Sequence, residues 1–103
     1  MVVDGQTYGS DVIILPDGVV GDWQRKEEHV LHPQDVKIVL KMAPEVVVIG
    51  QGSVKNMRVL PETEERLKAR GIKVRAFKTA KACETYRELR NQRKVAAVLH
   101  VTC

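Results

Sequence analysis

Two glycines follow an apolar run, and this is the feature of the sequence that best fits ligand chemistry. Val46–Ile49 are consecutive apolar residues, and Gly50-Gln51-Gly52 comes directly after them. Glycines after a strand leave backbone N–H groups uncovered, and concave backbone of this kind binds anions. Alternatively, the glycines only provide a tight turn. The pattern leaves both interpretations open.

The established glycine-containing phosphate signatures do not fit this segment. The dinucleotide fingerprint needs a third glycine where this chain has Lys55, and it needs a helix directly after the loop. Here Met57–Leu60 intervene before the proline that opens the next helical pattern. A P-loop would need Gly-Lys followed by serine or threonine, which is absent. We therefore predict no nucleotide cofactor, and no cofactor of another kind is indicated.

A second group of residues is expected at the same edge of the fold. Thr79 is a favourable N-cap residue for a helix over 80–91, and a helix N-terminus carries about half a positive charge. If the later strands are parallel, their carboxyl ends meet at one edge, where open α/β sheets bind ligands. The predicted anion site consists of Gly50, Gln51, Gly52, Lys55, Lys78 and Thr79. Spacing identifies no catalytic residue and no metal ligand set.

The elements that position these residues follow from the apolar runs and the residues that interrupt them. Pro16-Asp17-Gly18 separates two apolar runs and predicts a hairpin with strands near 11–15 and 18–25. Helix and strand patterns then alternate along the chain. Helices are predicted after Pro33, at 61–70 and at 80–91, and strands at 45–49, 73–77 and 95–101.

This order predicts an α/β fold with three layers. The strand–helix–strand–helix–strand succession favours a parallel core, and the hairpin adds antiparallel pairing. The central strands show little polar alternation, which is typical of strands covered on both faces. We expect one domain over residues 1–103, with a mixed central β-sheet, an N-terminal hairpin and helices on both faces.

Charge is unevenly distributed along the chain. Residues 1–52 hold 4 Lys/Arg and 8 Asp/Glu, whereas residues 53–103 hold 13 Lys/Arg and 5 Asp/Glu. We expect the positive excess to be spread over the outer faces of helices 61–70 and 80–91. Nucleic acid is not an expected partner, because only 4% of residues are aromatic and base-stacking surfaces need more.

Composition also bears on location. The apolar runs are far shorter than the roughly 20 residues that span a bilayer, so no membrane insertion is expected. Residues 1–11 lack the basic and apolar regions of a secretory signal, and two cysteines are too few for a disulfide scaffold. A cytoplasmic location is the expectation. Cys83 and His100 lie in apolar contexts and are interpreted as core residues, His100 with a hydrogen-bond partner.

Several segments together resemble a known family. They are Asp4–Val20, Trp23–His29, Pro44–Gly52, Pro61-Glu62, Thr79–Tyr86 and Val95–Cys103. In this order they resemble the small Mth-type domain family over nearly the whole chain. The resemblance implies a three-layer α/β fold with a mixed sheet. It implies no activity, although one mitochondrial branch of the family acts as an assembly factor through protein contacts.

The expected function is therefore a binding or assembly-type interaction module with an unidentified protein partner. The alternative is a small-molecule or anion-binding protein, an enzyme included, with its site at the Gly50–Gly52 loop. An interaction module is expected to show an exposed apolar patch and no deep polar cleft. A ligand site is expected to show a concave pocket with converging donors near Gly52 and Thr79.

Overall fold

The computed structural model describes residues 2–3, 6–7, 11–15, 18–20, 30–52 and 57–100. The strands are β1 (Val2–Val3), β2 (Gln6–Thr7), β3 (Val12–Leu15), β4 (Gly18–Val20), β5 (Val30–Leu31), β6 (Val46–Gly50), β7 (Arg58–Val59), β8 (Lys73–Phe77) and β9 (Val95–Leu99). A 3-10 helix spans Pro33–Val36, and the α-helices are α1 (Lys37–Met42), α2 (Pro61–Ala69) and α3 (Thr79–Leu89).

Five strands form the central sheet in the order β4-β3-β9-β6-β8. The predicted parallel core is confirmed, because β6 pairs in parallel with β8 on one side and with β9 on the other. The sheet is mixed, since β3 pairs antiparallel with both β4 and β9. Every residue of β6 and β9 is buried, which explains why both strands read as unbroken apolar runs.

Two apolar clusters occupy the two faces of the sheet. On one face, Val47 and Ile49 of β6 join Val39 of α1 and Leu67 of α2. On the other face, alternate residues of β6 and β9 join Ala82 of α3. Successive strand residues point to opposite faces, so one strand supplies both clusters. The three-layer arrangement with helices on both faces is confirmed.

The N-terminal hairpin is also confirmed over its described residues. β3 and β4 pair antiparallel, with Ile14 opposite Val19. The second strand was expected over 18–25, and the structure describes it as Gly18–Val20. Residues 21–29, which include Trp23, lie outside the described residues.

The first predicted helix consists of two parts. Pro33 begins a 3-10 turn, and the α-helix follows from Lys37. The His32 N–H donates to the Asp35 carboxylate at 2.8 Å, which supports the start of this segment. Ala43 ends α1 in the left-handed conformation, with φ 46°. The inward side of this segment holds Val36 and Val39, which are both fully buried.

Helix α2 ends as its sequence pattern indicates. Gly71 has φ 77°, the left-handed conformation that commonly follows a helix C-terminus. Glu64 and Lys68 pair at 3.8 Å along the exposed side of α2. Such an exposed pair contributes little to stability. The helix is anchored by the buried Leu67 and by Thr63, whose hydroxyl donates to the Leu31 carbonyl at 2.7 Å.

Within the described residues, no helix combines the length and the apolar character that crossing a membrane requires.

Candidate functional site

Thr79 lies at the centre of the carboxyl edge of the sheet. The Gly52 N–H donates to Thr79 Oγ1 at 2.9 Å, and the Thr79 hydroxyl donates to the His100 carbonyl at 2.7 Å. The Thr79 N–H donates back to the Gly52 carbonyl at 3.1 Å. One side chain thus connects the end of β6, the start of α3 and the end of β9. We call Gly52, Thr79 and His100 the carboxyl-edge cluster.

This geometry corrects the role predicted for Thr79. Lys78 is the N-cap residue of α3, and Thr79 is the first helical residue. The Thr79 hydroxyl does not cap the helix, because it is engaged with Gly52 and His100. A threonine before a helical pattern matches the local capping rule, and tertiary hydrogen bonds override that rule here.

Both glycines of the loop have a structural requirement. A Cβ on Gly50 would lie 2.9 Å from Leu99 Cδ2, 3.0 Å from Thr79 Oγ1 and 3.2 Å from Thr79 Cα. Gly50 therefore lets α3 begin directly against β6. Gly52 has φ 96°, a conformation that residues with a side chain rarely adopt.

Gln51 connects the two described ends of the loop that follows β6. Its backbone N–H donates to the Phe77 carbonyl at 2.8 Å, which extends the pairing with β8. Its side-chain Nε2 donates to the Met57 carbonyl at 3.0 Å, and the Met57 N–H donates to the Gln51 carbonyl at 3.0 Å. The fully buried Met57 is thereby held next to the end of the strand.

Four of the six predicted anion-site residues lie together in the structure. They are Gly50, Gln51, Gly52 and Thr79. Lys78 is exposed at the start of α3, and Lys55 lies outside the described residues. The backbone N–H groups of Gly52 and Thr79 are bonded within the cluster, so an anion would have to meet other donors there. Anion binding at this loop stays a prediction.

A buried Asp–His pair adjoins the cluster. The His100 Nδ1 lies 3.0 Å and 3.1 Å from the two Asp11 carboxylate oxygens. His100 is 0% exposed and Asp11 is 9% exposed. The expectation of a core histidine with a hydrogen-bond partner is confirmed. A carboxylate that orients an imidazole is an arrangement found in general-base catalysis, but this imidazole is closed off from solvent.

The partner of His100 was not identified from the sequence, although a signal exists. Val12 of β3 pairs with Leu99 of β9 in an antiparallel ladder. The next pair along this ladder therefore joins Asp11, which precedes β3, with His100, which follows β9. Predicting that β3 lies beside β9 would have placed the two side chains opposite each other.

Strand β8 lies at an edge of the central sheet. Among the described residues its one strand neighbour is β6. The Lys73 N–H donates to the Glu45 carbonyl, and the Phe77 carbonyl accepts from the Gln51 N–H. In a parallel ladder alternate residues bond to the same neighbour. Lys73, Arg75 and Phe77 therefore bond towards β6, and the backbone groups of Val74 and Ala76 point outward.

A cavity of about 230 Å³ lies between α3 and the β6–β8 pair. Lys73 and Arg75 line it from β8, Arg93 lines it from beyond α3, and Glu88 and Thr85 line it from the helix. Three cations thus face one carboxylate. Within the described residues, none of these charged side chains forms an ion pair within 4.0 Å. We call Lys73, Arg75 and Arg93 the edge cations.

The edge cations revise the charge distribution expected from the sequence. The excess of positive charge in residues 53–103 was expected on the outer faces of helices 61–70 and 80–91. Arg66 and Lys68 of α2 are exposed, as expected. Three other cations gather at one cavity, because residues 73 and 75 share a face of β8. A second, wider basic depression of about 620 Å³ is lined by residues of helical segments, namely Lys37, Ile38, Leu40, Lys41 and Arg70.

In the part of the chain that the structure describes, no group of three or more histidine, cysteine, aspartate or glutamate residues is arranged to hold a metal ion.

Comparisons with solved structures show the same fold. A conserved hypothetical protein, PH1505 from Pyrococcus horikoshii OT3, is 24% identical with a TM-score of 0.82, covering 98% of this chain and 90% of that one. A protein from Bartonella henselae, named an outer membrane protein, is 26% identical with a TM-score of 0.80, covering 95% and 84%. XCC1710 from Xanthomonas campestris is 25% identical with a TM-score of 0.78, covering 95% and 74%.

The match to a family model covers almost the whole sequence. Residues 1–100 match the model described as a protein of unknown function, DUF498/DUF598. That range includes the carboxyl-edge cluster, strand β8 and the edge cations. The chain belongs to the DUF498/DUF598 family.

Proposed function

We propose that this chain is a protein-interaction module that takes up an extended segment of a partner as an additional strand beside β8. The observation that carries the proposal is the outward-pointing backbone of Val74 and Ala76 at the sheet edge. An added strand would satisfy these groups with main-chain hydrogen bonds, a common mode of peptide recognition. The resemblance to Mth-type proteins, one branch of which acts in assembly, supports this class of function.

Strand β8 is long enough for this role. It has five residues, and the backbone groups of Val74 and Ala76 point away from β6. A partner segment could therefore form a ladder with β8 over these two positions.

A second copy of this chain is a poor occupant of the edge. Lys73 and Arg75 lie on the same face of β8. In an antiparallel edge-to-edge pair of two copies, cations from both strands would lie on one face at cross-strand distance. Like charges placed opposite each other destabilise a sheet. The partner segment should come from a different protein.

The proposal is tested by selecting binders from a displayed library of random ten-residue peptides and mapping them by amide NMR. We expect selected peptides to slow solvent exchange of the Val74 and Ala76 amides. The variant Ala76→Pro removes one outward N–H and retains every bond to β6, so it should weaken binding about fivefold or more. The matched variant Ala76→Thr keeps the N–H and should bind normally.

The opposite result has a clear meaning. Lysine on an edge strand is also a known device against pairing. If no peptide is selected, or if selected peptides leave the β8 amides unchanged, the edge is protective and the proposal is wrong.

The anion site predicted at the glycine loop is kept as a second proposal. The observation that favours it is that the ends of β6 and β9 meet the start of α3. Thr79 of α3 contacts Gly52 after β6 and His100 after β9. Lys78 would supply the charge. Phosphate titration followed by NMR should shift the amides near Lys78, and Lys78→Ala should abolish these shifts while Lys68→Ala does not. Equal shifts in both variants would exclude the site.

A further inference from the structure

We propose that the cavity lined by the edge cations recognises carboxylate side chains of the segment that adds to β8, so that the partner segment is acidic at alternate positions. This inference rests on the proposed strand addition and specifies its partner. The geometry that carries it is the position of one charged cavity beside strand β8, which pairs only with β6 among the described strands.

The first step of the argument concerns direction. Lys73 is paired with Val46 and Arg75 with Val48, and both valines belong to the cluster under α3. Paired residues of neighbouring strands point to the same face. The two cations therefore project to the α3 side of the sheet, where the cavity lies. A strand added outside β8 would present every second side chain to this same side.

The second step concerns distance. Side chains directly opposite each other on neighbouring strands have Cβ atoms about 4.5–5.5 Å apart. An aspartate or glutamate opposite Lys73 or Arg75 would then lie within ion-pair reach. Arg93 lines the same cavity and adds a third cation. Arginine presents a planar fork of donors that matches a carboxylate.

The third step concerns charge and size. Lys73, Arg75 and Arg93 have no ion-pair partner within 4.0 Å among the described residues, so an incoming carboxylate does not have to displace one. The single acid of the cavity, Glu88, leaves an excess of positive charge. A volume of about 230 Å³ is below the range of roughly 300–1,000 Å³ typical of small-molecule sites. It suits side chains better than a whole cofactor.

The experiment uses two synthetic peptides with the full chain at low salt. One alternates threonine with glutamate, and the other alternates threonine with glutamine. Affinities are measured by NMR titration of the β8 amides. We expect the glutamate peptide to bind about tenfold more tightly, since two cross-strand ion pairs of ordinary strength produce a difference of this size. The variant Arg75→Gln removes one of the two pairs and should lower the preference to about threefold.

The matched control is Arg70→Gln. Arg70 is also exposed and also belongs to a surface with three cations, but that surface is built from helical segments. The control removes the same charge from the protein and should leave the preference for glutamate unchanged. If Arg70→Gln lowers the preference as much as Arg75→Gln, the attraction is a general effect of net charge and the inference is wrong.

The remaining outcomes separate the inference from the proposed function. If both peptides protect the Val74 and Ala76 amides with equal affinity, strand addition stands and the carboxylate preference is overturned. If neither peptide affects these amides while library-selected peptides do, the preference for acidic segments is likewise overturned. If no peptide of any kind affects them, strand addition itself fails.

Discussion

The carboxyl-edge cluster gives a direct test of how the sheet is connected to α3. We expect Thr79→Val to destabilise the fold strongly, although valine has almost the shape of threonine. The substitution removes one hydroxyl that accepts from the Gly52 N–H at 2.9 Å and donates to the His100 carbonyl at 2.7 Å. Both contacts are buried, so no water replaces the lost partner.

The magnitude follows from the two groups left unsatisfied. A buried donor or acceptor without a partner costs about 1–3 kcal/mol. Two such groups should therefore lower the free energy of unfolding by about 3 kcal/mol, which is a large share of the roughly 5–15 kcal/mol typical of a domain. With a urea dependence of about 2 kcal/mol per molar, the midpoint of unfolding should fall by about 1.5 M.

The control for this prediction is Thr79→Ser. Serine keeps the hydroxyl and loses one methyl group, at a cost of about 1 kcal/mol. Urea unfolding followed by circular dichroism should therefore rank the proteins as wild type, serine variant and valine variant. If the valine variant were as stable as the serine variant, the two hydrogen bonds would not hold α3 against the sheet and our description of the cluster would be wrong.

Three further predictions concern other parts of the chain. Gly50→Ala should destabilise the fold by about 1–3 kcal/mol in the same urea assay, because the new methyl would press against α3 and the neighbouring strand; a neutral effect would mean that the two elements are not in contact. In hydrogen-exchange NMR the amide of Arg75 should be protected while those of Val74 and Ala76 exchange quickly, and uniform protection along β8 would show that its edge is covered. Burial raises the pKa of the Cys83 thiol above 9.0, the usual value for a cysteine. As the pH rises, the unfolded chain therefore loses the thiol proton before the folded chain does, and the stability of wild type relative to Cys83→Ala should fall above pH 9.0. Parallel pH profiles of the two proteins would contradict this.

The sequence predicted the elements of the fold well because local signals coincide with them. Continuous apolar runs became β6 and β9, which are buried on both faces. Pro61 and Gly71 delimit α2 as the helix rules require. These signals act within a few residues of one another, and tertiary contacts did not overrule them.

The candidate site was predicted less completely because its contacts join distant parts of the chain. Thr79 satisfied a local capping pattern, yet its hydroxyl bonds to residues 27 and 21 positions away. The contact between Asp11 and His100 spans 89 positions and depends on strand order, which apolar periodicity does not encode. The edge cations likewise come from separate elements. Such groupings become visible only when neighbours in the sheet are known.

The order of strands has a consequence for how this chain reaches its native state. β9 is the last described strand in the chain, but it lies in the middle of the sheet, between β3 and β6. Until residues 95–99 are in place, the hairpin and the β6–α2–β8 unit share no ladder. Synthesis therefore delivers β9 after all the other described strands. Loop closure over such separations is slow compared with helix formation. In a ribosome-bound chain that stops before residue 95, the β3–β4 hairpin and the β6–α2–β8 unit should be separate rather than joined in one five-stranded sheet.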